Sequence, residues 1–147
     1  MILVDANLLL HAYNPRSADH ERSRDWLERE LSGSRLVRFA WVTLWAFIRI
    51  STSSRVFERP LTLSEADDIV SSWLAQPGVG VIDPGDRHWI LLQRLLDDGQ
   101  AAGPLAMDAA LAAIAVEHGA TLYTTDRDFS RFPGLSWVNP LKGAAGR

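Results

Sequence analysis

The 147-residue chain is 47% hydrophobic and 22% charged, ordinary globular usage that excludes a wholly disordered protein. It contains no cysteine, which excludes a disulfide framework and a thiolate zinc site and fits a reducing cytoplasm. Its net charge of −3 argues against a large basic docking face, although the arginines are uneven: residues 1–59 carry nine against seven acids, and residues 60–147 carry six basic groups against eleven acids.

One domain over residues 1–147 is expected, with 142–147 as a flexible tail; a chain of this size buries roughly 68–70% of its unfolded surface. No stretch is long and apolar enough to span a bilayer, and Asp5 interrupts the apolar start too early for a signal peptide. The apolar run Met1–Val4 reads as a strand buried on both faces. A short helix is expected over Leu8–Tyr13, stopped by Asn14-Pro15, then a charged helix over Ala18–Leu31 and a strand over Leu36–Phe39. Trp41, Leu44, Trp45 and Ile48 recur at helical spacing. Thr62 and Glu65 have capping-box spacing ahead of a stripe at Leu63, Ala66, Val70, Trp73 and Leu74. A strand over Val79–Asp83, a helix over Asp86–Leu96, a helix from Pro104 to His118 ended by Gly119, and a strand over Thr121–Thr125 follow. A turn at Arg127–Ser130 capped by Asp126 and a strand over Leu135–Val138 complete the pattern. Alternating strands and helices predict an α/β fold, a mainly parallel central sheet flanked by helices on both faces. Ligands of such sheets sit beyond the carboxyl ends of the strands.

Two acids fall at those ends. Asp5 closes the first strand, Asp126 closes a late one, and Asp128 follows within reach of the same pocket. Asp108 is the only ionisable residue between Leu105 and Val116, on a helix that reads as buried nearly all round. A buried carboxylate must be neutral, paired or bound to a cation. Grouped carboxylates repel one another, and Mg²⁺ or Mn²⁺, which favour oxygen ligands, removes the conflict. Such an ion lowers the pKa of a water and neutralises charge on a phosphate, so an all-acid site suggests phosphodiester hydrolysis. Plainer roles compete: Asp5 as a strand-end turn residue, Asp108 in helix-dipole service or paired with Arg49, Asp126 and Asp128 as turn caps.

Three segments carry a resemblance. Ile2-Leu3-Val4-Asp5-Ala6-Asn7, Met107-Asp108-Ala109-Ala110-Leu111-Ala112-Ala113 and Thr124-Thr125-Asp126-Arg127-Asp128-Phe129, followed by Phe132-Pro133-Gly134-Leu135, resemble in content and order the PIN-domain ribonucleases, and among them the VapC toxins of toxin–antitoxin pairs. The resemblance implies a Mg²⁺- or Mn²⁺-dependent endoribonuclease with Asp5, Asp108 and Asp126 as metal ligands and Asp128 as a further ligand or supporting acid. It implies that Asn7 and Thr125 orient ligands or water, and it implies an RNA substrate such as tRNA or ribosomal RNA, a homodimer and a VapB-like antitoxin. One departure stands out: Ala46 lies where the family usually places a Glu, about one turn before Arg49. Arg49, on the same helix, is a candidate for a phosphate contact or for pairing with Asp108.

Other chemistries find little footing. There is no G-x-S-x-G elbow, no H-E-x-x-H spacing and no glycine-rich phosphate loop. Trp41, Trp45, Trp73 and Trp89 fall on apolar stripes and are expected in core or dimer packing, with a partner surface the alternative if Trp41 and Trp45 are exposed. Two further readings remain beside the nuclease: a PIN-like module that binds RNA or protein without cutting, and a metal phosphohydrolase of small esters.

Overall fold

The computed structural model describes residues 1–142; the expected tail falls outside the described residues except for Lys142. The elements are β1 (Ile2–Val4), α1 (Ala6–Tyr13), α2 (His20–Leu31), β2 (Val37–Ala40), α3 (Trp41–Ser51), α4 (Leu63–Leu74), β3 (Val79–Ile82), α5 (His88–Asp98), α6 (Leu105–His118), β4 (Thr121–Tyr123), a 3-10 turn (Arg127–Arg131) and β5 (Trp137–Val138). The strands form one sheet in the order β3-β2-β1-β4-β5, and every pair is parallel.

The apolar strands alternate between two cores because successive side chains point to opposite faces. Ile2, Val4, Val37 and Phe39 meet Leu8, Trp26, Phe47 and Trp73 from α1–α4 on one face. Leu3, Ala40, Ile82 and Leu122 meet α5, α6 and Phe129 on the other. The first core centres on aromatic rings: Trp73 lies 4.8 Å from Phe47 and 5.4 Å from Phe39 between centroids. Its indole Nε1 donates to Tyr13 Oη at 3.2 Å, so the one polar group of this buried ring is satisfied. Helix α6 is nearly all small apolar residues and is buried from Ala109 to Ala115 apart from half-buried Ala110; Gly119 ends it in the left-handed conformation at φ 64°.

Local chemistry moves several boundaries. Helix α1 begins at Ala6 rather than Leu8, because Asp5 Oδ1 accepts from Ala6 N at 2.8 Å and caps the helix. Helix α2 begins at His20 rather than Ala18, since Ser17 Oγ accepts from Asp19 N and holds a turn before it. Strand β4 stops at Tyr123, two residues short of Thr125, where the Thr124 hydroxyl donates to the Asp5 carboxylate and accepts from the Asp126 backbone N–H. The capping box at Thr62 and Glu65 forms with both bonds, at 3.0 and 3.1 Å. Of the four tryptophans read as packing residues, only Trp73 is buried; Trp41, Trp45 and Trp89 are 44%, 64% and 62% exposed, so core packing is not their role.

Candidate metal and phosphodiester site

The carboxyl ends of β1 and β4 are hydrogen-bonded neighbours, and Asp5 N extends the ladder to Tyr123 O at 3.0 Å. This pairing brings the acid after β1 beside the acids after β4. Asp5 is fixed from two sides: Oδ1 by Ala6 N, and Oδ2 by the Thr124 hydroxyl at 2.7 Å. Burial pushes its pKa above the ordinary carboxylate value, the two hydrogen bonds oppose that rise, and the Asp126 charge adds to it.

Asp126 starts the 3-10 turn, and its Oδ1 accepts from Asp128 N at 2.8 Å, an Asx turn that sets Asp128 beside it. Asp108 projects from the first turn of α6. Carboxylate oxygens of Asp108, Asp126 and Asp128 lie within 4.8 Å of one another. Asp5 stands outside that trio but lines the same cavity of about 250 Å³ as Asp108 and Asp126, together with Asn7, Ala46 and Met107. Asp128 is exposed, so the acid trio opens to solvent.

Asp108 carries the electrostatic strain. Its pKa is pushed from 3.8 to about 6, first by burial and then by the negative charges of Asp126, Asp5 and Asp128; Arg131 opposes the rise. Among the described residues none of the four acids enters an ion pair. The trio therefore lacks a compensating side-chain cation in contact. Opposite ligands of an octahedral Mg²⁺ stand about 4.2 Å apart, so oxygens up to 4.8 Å apart need only a small inward shift to share one ion, with water completing its shell. The donor set, all carboxylate oxygen, fits Mg²⁺ or Mn²⁺ rather than a softer metal.

Thr124 is a site residue that motif reading passed over in favour of Thr125. It is fully buried, and one hydroxyl joins two acids: Oγ1 donates to Asp5 Oδ2 and accepts from Asp126 N at 3.0 Å. Asn7 Oδ1 lies 3.5 Å from both this hydroxyl and Thr125 N. Arg49 is exposed and does not line the cavity. It continues the Trp41–Trp45 row at four-residue spacing, whereas Val42, Ala46 and Ile50 form the neighbouring row that faces the acids. The cation whose field Asp108 feels is Arg131, held through Nη1 on Gly99 O at 3.0 Å.

Against known proteins, the PIN domain family model matches residues 2–135. The chain belongs to the PIN-domain family. It is 44% identical over 140 residues to ribonuclease VapC37 of Mycobacterium tuberculosis, covering 95% of this chain and 97% of that one. It is 37% identical over 142 residues to ribonuclease VapC33 of the same species, covering 97% and 99%. Among solved structures, VapBC2 from Rickettsia felis, bound to a fragment of its promoter DNA, superposes with a TM-score of 0.68 at 19% identity over 94% of this chain and 98% of that one. M. tuberculosis VapC20, described as a sarcin–ricin-loop-cleaving toxin, superposes with a TM-score of 0.66 at 17% identity over 92% and 99%. In this PIN domain no helix among the described residues is long and apolar enough to cross a membrane.

Proposed function

We propose that this PIN domain, acting as one unit over residues 1–147, is a Mg²⁺- or Mn²⁺-dependent endoribonuclease and the toxin of a cytoplasmic toxin–antitoxin pair. The observation that carries the reading is the trio Asp108, Asp126 and Asp128, with oxygens within 4.8 Å and no side-chain cation paired to them among the described residues. The ribonuclease names of the VapC37 and VapC33 relatives give the substrate class, and the VapBC complex among its structural neighbours motivates a VapB-like antitoxin as partner. tRNA or ribosomal RNA is the proposed target and a homodimer the proposed state.

Asp108, Asp126 and Asp128 would hold the ion, with Asp5, which lines the same cavity, as a further ligand or supporting acceptor. Thr124 keeps Asp5 and the Asp126 backbone in register, and Asn7 and Thr125 orient ligands or water. When bound, the ion supplies a water of lowered pKa and neutralises charge on the phosphate. A solvent-open cavity admits a polymer, which favours RNA over a small ester.

Ala46 favours a second reading. It lines the acid cavity where a carboxylate is expected, which leaves room for a module that binds RNA or protein without cutting. The deciding experiment incubates metal-stripped protein, free of partner, with mixed tRNA and ribosomal RNA, with and without Mg²⁺ or Mn²⁺, beside Asp108→Asn. Discrete fragments that require metal and vanish in the variant are expected. Intact RNA under both metals, with RNA binding retained, would shift the assignment to the binding module.

A further inference from the structure

Arg49 does not line the acid cavity, so a phosphate contact must come from another cation. Arg131 closes the 3-10 turn Arg127–Arg131, three residues after Asp128. Side chains three apart eclipse in such a turn, so Asp128 and Arg131 share one face, about 6 Å apart along its axis. Phe129 and Phe132, also three apart, are both buried and mark the inner face. The Asp128–Arg131 face is therefore the solvent side of the acid trio, where Asp128 is exposed.

The Arg131 guanidinium is held without being paired. Its Nη1 donates to Gly99 O at 3.0 Å and reaches Gln100 O at 3.5 Å. Its Nε is buried without a partner, and its Nη2 is neither buried nor bonded among the described residues. Arg131 also enters no ion pair among them. It is nonetheless close: Asp108, whose pKa burial and then three acids raise, feels Arg131 as the opposing charge. A guanidinium beside carboxylates ordinarily closes a bidentate pair. Here two backbone carbonyls hold it back, so the carboxylates stay open to a cation and Nη2 stays open to an anion. A partly desolvated charge without a counterion is unfavourable, and an anion at Nη2 relieves it. The anchor is itself built at a cost. Gln100, at φ 48°, is the one non-glycine residue with positive φ among the described residues. Arg127, in the same turn, is exposed and no bond fixes it among the described residues, so it offers charge without a set position.

We propose that Arg131 is the phosphate contact of the acid site: Nη2 donates to a non-bridging oxygen of an RNA phosphodiester lying across the Asp128–Arg131 face. The inference rests on RNA as the substrate and adds which cation seats it. Such a contact sets the position of the strand and carries no base preference.

Binding is read in EDTA, so that cleavage does not enter, on Asp108→Asn protein, in which one repelling charge is gone. A fluorescein-labelled, short single-stranded RNA of mixed sequence is titrated by anisotropy between roughly 50 and 200 mM salt. Adding Arg131→Gln is expected to weaken binding roughly tenfold at the lowest salt. It should also reduce the slope of log affinity against log salt by about 0.7, the worth of one single-strand phosphate contact. Arg131→Lys keeps the charge and should keep the slope, and Arg24→Gln, on α2 at the other face of the sheet, should change neither quantity. Should Arg131→Gln melt early, the parent still decides: its Arg131 Nε–Hε resonance should shift saturably with the same RNA. No saturable RNA binding, an unchanged slope in Arg131→Gln, an equal loss in Arg131→Lys, or an unmoved Nε–Hε resonance at saturation would overturn the contact and leave Arg131 a tether of Gly99. Metal-dependent RNA cleavage by the wild type is scored separately. Cleavage with an unchanged slope refutes the Arg131 contact alone, and a reduced slope without cleavage in Mg²⁺ or Mn²⁺ refutes the nuclease alone.

Discussion

Asp108→Asn gives the sharpest prediction, because it should stabilise the protein while abolishing its activity. The Asp108 carboxyl binds its proton more tightly in the folded chain, with a pKa of about 6 against 3.8. Its favourable contribution is therefore complete below pH 3.8 and lost as pH rises through about 6; above that the folded state carries an unfavourable charge. The full shift corresponds to an upper limit of about 3 kcal/mol. Because the group is half-exposed and solvent screens it, about 1 kcal/mol is the working figure. In EDTA at pH 7.5 the Asn variant should then melt roughly 3 °C above wild type. The gap should close towards pH 4, where wild type holds its proton. Millimolar Mn²⁺ should reverse the order, since only the carboxylate binds the ion with full strength. Paired thermal melts across pH 4–8, with and without Mn²⁺, measure this directly. A variant less stable than wild type in EDTA at pH 7.5, or a gap independent of pH, would refute the account of Asp108 as an uncompensated charge.

Three further outcomes follow from the same geometry. Thr124→Val removes the hydroxyl that joins Asp5 and the Asp126 backbone; a loss of about 1–3 kcal/mol in urea unfolding is expected, with Mn²⁺ affinity 10–100-fold weaker by calorimetry. Ala46→Glu adds a carboxylate to the acid cavity and should tighten Mn²⁺ roughly tenfold while lowering the melting point in EDTA; unchanged affinity would show that residue 46 does not reach the ion. Gly99→Ala places a Cβ 2.9 Å from both Leu95 O and the Phe132 ring and should cost about 1–3 kcal/mol of stability. Because Gly99 O holds Arg131, the same variant should also raise the Asp108 pKa, read by NMR titration of the metal-free protein.

Much of this architecture was legible in the chain because its signals are local and periodic. Met1–Val4, Thr62–Glu65 and the Ala-rich run behind Asp108 each name an element by spacing, capping or burial, and their alternation implies a parallel sheet. The exposure of Trp41 and Trp45 was not legible. An apolar stripe on α3 reads the same whether it faces Phe39 or solvent, and only the packing of the neighbouring row decides. Thr124 was obscured for a related reason. Two adjacent threonines precede Asp126, and which hydroxyl turns inward depends on where β4 ends, a boundary set by side-chain bonds to Asp5 that no window of sequence contains.

The clearest sign of function was a residue that works against folding. A carboxylate at the head of an otherwise apolar helix is locally costly, and no paired base among the described residues relieves the cost: Arg131 stabilises Asp108 only through its field, and Asp5, Asp126 and Asp128 all oppose it. A sequence selected for stability alone would carry Asn or Ala there, since either keeps the helix and removes the charge. Retention of the charge makes sense if a cation completes the site. Asp5, Asp126 and Thr124 then acquire one common role, because each is held by bonds that keep oxygens together that would otherwise move apart.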